Sequence, residues 1–235
     1  MPEETAPTNT PNTPTVPNES GSSSSVLKTL GCGCAALVVL VLIVPLVWAS
    51  WGSTDFPRAA PEDIAGRAFQ HSQEAYDLVG FKRTVKPGVK DIGVSTENTL
   101  SSSSCHDGGL TGLEDKTVDG AYQMSHRWAL DHVPASQAAS GLRRLHQHLK
   151  DEGWEITSYR EGAKVKGKGR DWDLFAKRDD GDGTERMSFT WFAEREYFLG
   201  GATAPCAYDP AWKNGDIGLS GDDQTPPSLG PHNGA

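Results

Sequence analysis

The sequence lacks the residue spacings that most protein metal sites share. Its four cysteines and seven histidines contain no Cys-x-x-Cys and no His-x-x-x-His pair, which argues against a zinc site. The acidic turn at 179–185 matches a calcium loop only in part. Arg178 stands where the first ligand belongs, and Phe189 stands where a glutamate belongs. We therefore expect neither a metal nor another cofactor.

The sequence also lacks an excess of positive charge. Its net charge is −9, of which residues 52–235 carry −7, with 21 basic and 28 acidic residues. This balance argues against nucleic acid or an anionic membrane surface as the main partner. One short segment departs from it, because four cations alternate with small or apolar residues in a predicted loop. This loop is a candidate site for an anionic polymer, and the alternative is a solvated connection between two strands; its cations are Lys164, Lys166, Lys168 and Arg170.

No charged residue occurs between Lys28 and Asp55. Within this interval the stretch Leu30–Trp51 is dominated by Leu, Val and Ile, and a helix of this length crosses a hydrocarbon core. It predicts a single transmembrane helix in contact with the lipid bilayer, with the N-terminus in the cytoplasm. The alternative is a signal peptide cleaved near Ala49, which would release a secreted protein. Both interpretations export the rest of the chain.

The four cysteines divide into two pairs. Cys105 and Cys206 lie in the predicted exported region, where an even pair most simply forms a disulfide. Cys32 and Cys34 lie among glycines and alanines at the start of the apolar stretch. Small residues let transmembrane helices approach closely, so this surface predicts weak helix–helix self-association.

Composition and periodicity divide the chain into four parts. We expect a disordered Pro/Thr/Ser-rich tail at 1–29, the transmembrane helix at 30–51, an extracytoplasmic domain at 56–209, and a disordered tail at 210–235. The domain pattern predicts helices at 61–79 and 134–152 and strands at 121–130, 154–160, 171–177 and 184–193. An Asp/Gly-rich turn joins the last two strands. The predicted class is α+β, with a mainly antiparallel sheet, a β-α-β-β-β core, and helices packed on it.

No set of residues in the sequence predicts catalysis. Cys105, His106 and Asp107 are adjacent, whereas catalytic triads normally combine residues from distant positions. His146 and His148 are two residues apart on a predicted helix and therefore point in different directions. His126 belongs to the core-facing side of a predicted strand, where a hydrogen-bonded histidine is ordinary.

The overall make-up resembles membrane-anchored or secreted actinobacterial proteins of unknown function. They share a Pro/Thr-rich tail, one apolar span and a domain rich in Gly, Ala, Arg and Asp. The resemblance is compositional and implies no site residues. We expect a binding, accessory or sensory module displayed outside the cell, whose partner is an envelope protein or polymer. The alternative is an envelope hydrolase whose nucleophile and base lie on separate loops.

Overall fold

A computed structural model describes residues 55–90, 95–108, 115–162, 170–181 and 183–231. The predicted transmembrane helix at Leu30–Trp51, the N-terminal tail and Lys164, Lys166 and Lys168 lie outside these ranges. In the described part of the chain, neither helix combines the length and the apolar character needed to span a bilayer.

The described residues form two helices and an eight-stranded, mainly antiparallel sheet, which confirms the predicted α+β class. The helices are α1 (Pro61–Val79) and α2 (Ala135–Asp151). The strands are β1 (Gly88–Val89), β2 (Glu97–Gly108), β3 (Asp115–Leu130), β4 (Glu155–Arg160), β5 (Trp172–Asp179), β6 (Thr184–Phe192), β7 (Tyr197–Thr203) and β8 (Ala207–Tyr208). The strand order is β1-β2-β3-β7-β6-β5-β4, and β8 pairs with β3.

The predicted β-α-β-β-β order is present as β3, α2, β4, β5 and β6, whereas β1, β2, β7 and β8 carry no clear signal in the sequence. Strand β2 contains four consecutive serines, which favour turns in an isolated chain. It is a strand because it pairs along most of the length of β3, which itself begins at Asp115 and not at Ala121. Tertiary pairing therefore overrides the local preference of these serines.

Both helices cover the same face of the sheet. Helix α1 contacts β3 and β7, and α2 contacts β4 and β5 as well as α1. Period-two alternation sends one set of strand residues toward the helices. The largest buried members of this core include Trp128, Leu130, Leu142, Leu145, Leu174, Phe189 and Phe198. Burying one such side chain stabilises the fold by about 1.5–3 kcal/mol.

The ends of α1 follow from its sequence. Pro61 occupies the first helical position, where a missing N–H costs nothing, and Glu62 and Asp63 lie in the first turn. Gly80 ends the helix in the left-handed conformation with φ of 83°, which glycine adopts without strain. The helix has the predicted bounds.

Gly200 of β7 lies beneath the indole of Trp128. A Cβ atom at position 200 would lie 2.3 Å from Trp128 Cζ2. The two residues are register partners in adjacent strands, and the Trp128 ring also stacks on Phe198 with 5.4 Å between ring centroids. Because Gly200 has no side chain, the indole of Trp128 fits against its backbone at the centre of the core.

The C-terminal residues differ from the expected disordered tail. Residues 210–231, here called the C-terminal strap, lie against the domain. Leu229 is fully buried, and its backbone exchanges two hydrogen bonds with Val85, of 2.7 and 2.9 Å. Composition does not predict this order. A segment rich in Gly, Asp and Pro contains too few apolar residues to form a core of its own, and its composition is therefore typical of disorder. The partner of Leu229 is supplied by the folded core.

Candidate functional site

The predicted disulfide between Cys105 and Cys206 is formed, with 6.0 Å between the two Cα atoms. Strand pairing explains why these distant residues meet. Ser104 of β2 and Ala207 of β8 both pair with Tyr122 of β3. The bridge closes a separation of 101 residues. The Cys105 sulfur is therefore not a free thiol in this structure, and Cys105-His106-Asp107 supplies no thiolate nucleophile.

Of the predicted polyanion loop, only Arg170 is described, and its side chain is exposed two residues before β5 begins. The other three cations of that loop lie outside the described residues. The loop therefore stays a prediction.

A buried hydrogen-bond network surrounds His126 of β3. Its Nε2 atom lies 2.7 Å from Asn98 Oδ1, and His126 is 1% exposed. The Asn98 amide donates to the carbonyl oxygens of Val85 and Pro227 at 3.0 and 2.8 Å. Asn98 Oδ1 must therefore accept from His126, which places the imidazole proton on Nε2. Burial lowers the pKa of His126 to about 4, so the ring is neutral at physiological pH.

Ser72 on α1 and the His126–Asn98 pair are the residue types of a hydrolytic triad. However, Ser72 Oγ and His126 Nδ1 each lack a hydrogen-bond partner, so they are not bonded to each other. Ser72, His126 and Asn98 are 0%, 1% and 0% exposed. A substrate in solvent cannot reach these atoms, and the arrangement acts as a polar part of the core.

A narrow cleft of about 30 Å³ separates α1 from α2 and ends at Trp154 and Met187. Two histidine–carboxylate hydrogen bonds lie at this cleft. His148 Nε2 lies 2.8 Å from Glu74 Oε1, and His71 Nε2 lies 3.1 Å from Glu185 Oε1. The first joins the two helices, and the second joins α1 to β6. The cleft is large enough for about one water molecule.

Glu185 is the buried anion of this region, with only 1% of its surface exposed. Burial alone would raise its pKa, but hydrogen bonds from His71 and Arg178 outweigh that effect and lower the pKa of Glu185 to about 2. Arg178 donates to Glu185 Oε2 at 2.8 Å, and its guanidinium lies 4.5 Å from the centroid of the Trp154 ring. The cluster is a fully paired ionic contact between α1 and the sheet, and its acid is ionised in the folded state.

His146 and His148 point in different directions, as predicted. His148 bonds to Glu74, whereas His146 stacks on the ring of Tyr159 with 3.9 Å between centroids. Burial, and then the charge of Lys150, lower the pKa of His146. Within the described ranges, no group of three or more His, Cys, Asp or Glu side chains is placed to hold a metal ion.

The face of the sheet opposite the helices, here called the open face, consists of the alternate residues of β2 to β7. Its side chains lie in register across the strands. One row contains Ser101, Ser125, Thr203, Arg186, Lys177 and Glu155. A neighbouring row contains Thr99, Arg127, Gly201, Ser188 and Phe175. Hydroxyl groups and cations therefore dominate this surface.

Most charges of the open face are paired across strands. Lys177 Nζ lies 3.2 Å from Glu155 Oε2. Arg127 Nε lies 3.4 Å from a carboxylate oxygen of Glu97 in β2, and Arg160 of β4 bonds to Asp173 of β5. The exception among the described residues is Arg186 of β6, which has no carboxylate partner and lies directly opposite Lys177 of β5.

Comparison with known proteins does not identify a family: no protein family model matches the chain, and no curated protein matches its sequence.

The sequence did not lead us to predict the open face as a candidate site. The alternation of Arg186, Ser188 and Thr190 in β6 was a usable signal for a solvent-facing strand. The neighbours of Arg186 in β7 and β5, however, follow only from the register.

Proposed function

We propose that this chain is a single-pass, membrane-anchored cell-envelope protein whose folded domain lies outside the cell and acts as a binding module. The apolar stretch Leu30–Trp51 supports the anchor, because it has the length and composition of a transmembrane helix. The Cys105–Cys206 bridge supports the exported position, because disulfides persist in oxidising compartments.

The observation that carries the binding function is the open face. Its exposed side chains include Arg127, Arg186, Ser188 and Phe175. A polar sheet face with uncovered hydrogen-bonding groups suits contact with an extended partner. On the helix side, the cleft between α1 and α2 holds only about 30 Å³, and a larger concavity of about 570 Å³ is lined, among the described residues, by α1 alone.

The histidine contacts favour binding over hydrolysis. The hydrogen bonds of His71 and His148 go to carboxylate oxygens, and that of His126 goes to an amide oxygen. A hydrolase of the kind considered from the sequence needs a histidine within reach of a nucleophilic hydroxyl or thiol. The hydroxyl of Ser72 on α1 is buried and makes no hydrogen bond to a histidine.

The location is tested in intact cells carrying the full chain with an epitope after Ala235. Protease added outside the cells should remove the epitope, and mass spectrometry of the purified chain should show that Leu30–Trp51 is retained. Loss of residues 1–49 would instead identify a secreted protein. An epitope that survives until the cells are lysed would contradict export of the domain.

Binding through the open face is tested with a photo-crosslinking amino acid at Ser188, which is exposed at the centre of that face. The matched control carries the same group at Gln147, which is exposed on α2. The position-188 variant should form crosslinks to envelope material that the position-147 variant does not form. Equal crosslinking from both positions would contradict binding at the open face.

A further inference from the structure

We propose that the open face binds an anionic polymer whose charge is carried by phosphate groups, and that Arg186 and Lys177 provide the central contact. This inference rests on the proposed function, since it names the partner class of the same surface. Its starting point is a like-charge pair. Arg186 and Lys177 are direct cross-strand neighbours on one face of the sheet, an arrangement that destabilises a sheet unless something offsets the repulsion.

The two cations differ in what balances them. Lys177 has a carboxylate partner in Glu155, at 3.2 Å. Within the described part of the chain, no carboxylate lies within ion-pair distance of Arg186, although Arg127 and Arg160 on the same face each have one. Arg186 is therefore a solvent-exposed cation beside a second cation, which is the arrangement that an external anion would stabilise.

Hydroxyl groups extend the site from the two cations toward β3. Thr203 is the register partner of Arg186 in β7, and its Oγ1 lies 2.9 Å from Ser125 Oγ. Ser188 follows Arg186 on the same face of β6 and is exposed. Gly201, the partner of Ser188, carries no side chain, so the surface is low between Ser188 and Arg127. Hydroxyls and guanidinium groups are the side chains that donate to phosphate oxygens.

The shape and charge of the domain indicate an extended phosphate polymer. The row from Ser125 to Lys177 crosses four strands, which is about 14 Å at ordinary strand spacing. This length suits a chain of repeating anions laid across the strands. A guanidinium group matches two phosphate oxygens at once. Because residues 52–235 carry a net charge of −7, the domain as a whole does not attract a polyanion, and binding requires local groups of cations such as Arg186 and Lys177.

The test measures binding of fluorescently labelled inorganic polyphosphate to the purified full chain in neutral detergent. The variant is the double substitution Arg186→Gln and Lys177→Gln. The control removes two exposed cations away from the open face, Arg195→Gln and Lys213→Gln, and so causes the same change in net charge. We expect the first variant to bind about tenfold more weakly and the control to stay within about twofold of the unmodified chain.

Three results would overturn the proposal. Equal weakening in both double variants would mean that only net charge matters. Equal binding of polyglutamate at the same charge density would remove the preference for phosphate. Binding to phosphatidylglycerol vesicles with none to polyphosphate would identify a lipid surface. Unchanged thermal unfolding of the variants shows that their folds are intact. Because the purified chain is used, a negative result leaves the cellular location unaffected.

Discussion

Asn98 Oδ1 and His126 Nε2 lie 2.7 Å apart in the core, where they join β2 to β3. Asn98 donates to Pro227 in the C-terminal strap and to Val85 in the segment before β1. One buried amide therefore holds three separate parts of the chain. These hydrogen bonds fix the tautomer of His126. The burial of its ring makes the free energy of unfolding depend on pH.

The first prediction concerns the pH dependence set by His126. Its pKa is lowered from 6.5 to about 4 by burial, so the unfolded chain binds a proton at higher pH than the folded chain does. The free energy of unfolding should be highest above pH 6.5 and should fall by about 3 kcal/mol as the pH decreases to 4. Denaturant unfolding at a series of pH values measures this.

The control for His126 separates its titration from that of other groups. The variant His126→Gln should be less stable overall but should lose the slope between pH 6.5 and 4. His106→Gln should keep that slope, because His106 is exposed on β2. A slope unchanged in His126→Gln would show that another group causes it.

The second prediction concerns the buried anion Glu185. Glu185→Gln should lower the free energy of unfolding by about 3 kcal/mol, because Arg178 loses the charge that balances it and the hydrogen bond from His71 to a carboxylate is lost. Glu155→Gln breaks only an exposed pair with Lys177 and should cost less than about 1 kcal/mol. Equal costs in chemical denaturation would contradict the structural importance of Glu185.

The same carboxylate predicts an acid limit for stability. The pKa of Glu185 falls from 4.5 in the unfolded chain to about 2 in the folded one, so its ionised form stabilises the fold above pH 4.5. That stabilisation should be lost as the pH decreases from 4.5 toward 2. The Glu185→Gln variant should lack this loss, most of which occurs below the pH range in which His126 titrates.

The third prediction concerns the C-terminal strap. Leu229 is fully buried, so Leu229→Ala should cost about 2–5 kcal/mol through lost contacts and the cavity left behind. Leu219 is a matched control in the same strap, because it is 37% exposed, and its replacement by alanine should cost far less. Thermal unfolding of both variants measures the difference. A small effect of Leu229→Ala would contradict packing of the strap on the core and would favour the disorder expected from its composition.

The fourth prediction concerns the disulfide. Removing it by Cys105→Ser and Cys206→Ser should lower the free energy of unfolding by about 4 kcal/mol on the chain-entropy model, since the bridge closes a separation of 101 residues. Reduction of the unmodified chain by dithiothreitol should lower its stability by a similar amount. A thiol count on the native protein should find Cys105 and Cys206 unreactive; two reactive thiols there would contradict the bridge.

Part of the fold follows from local patterns. The apolar spacing of α2, the Pro61 start and Gly80 end of α1, and the alternation in β6 each express a preference that neighbouring residues enforce. The polar strand β2 and the C-terminal strap do not follow from local patterns. These two segments are held in place by backbone pairing and by hydrogen bonds from the Asn98 side chain, whose partners are remote in the sequence.

The sequence by itself determined the α+β class, the two helices, the β-α-β-β-β order and the disulfide pair. Periodicity is local, and two cysteines in one folded domain leave a single pairing. Only the tertiary structure decided which charges meet. Arg186 and Lys177 become neighbours because the register of β5 and β6 places them opposite each other. Glu185 of β6 meets His71 because α1 packs on the side of the sheet that Glu185 faces. The candidate binding surface is a product of strand register.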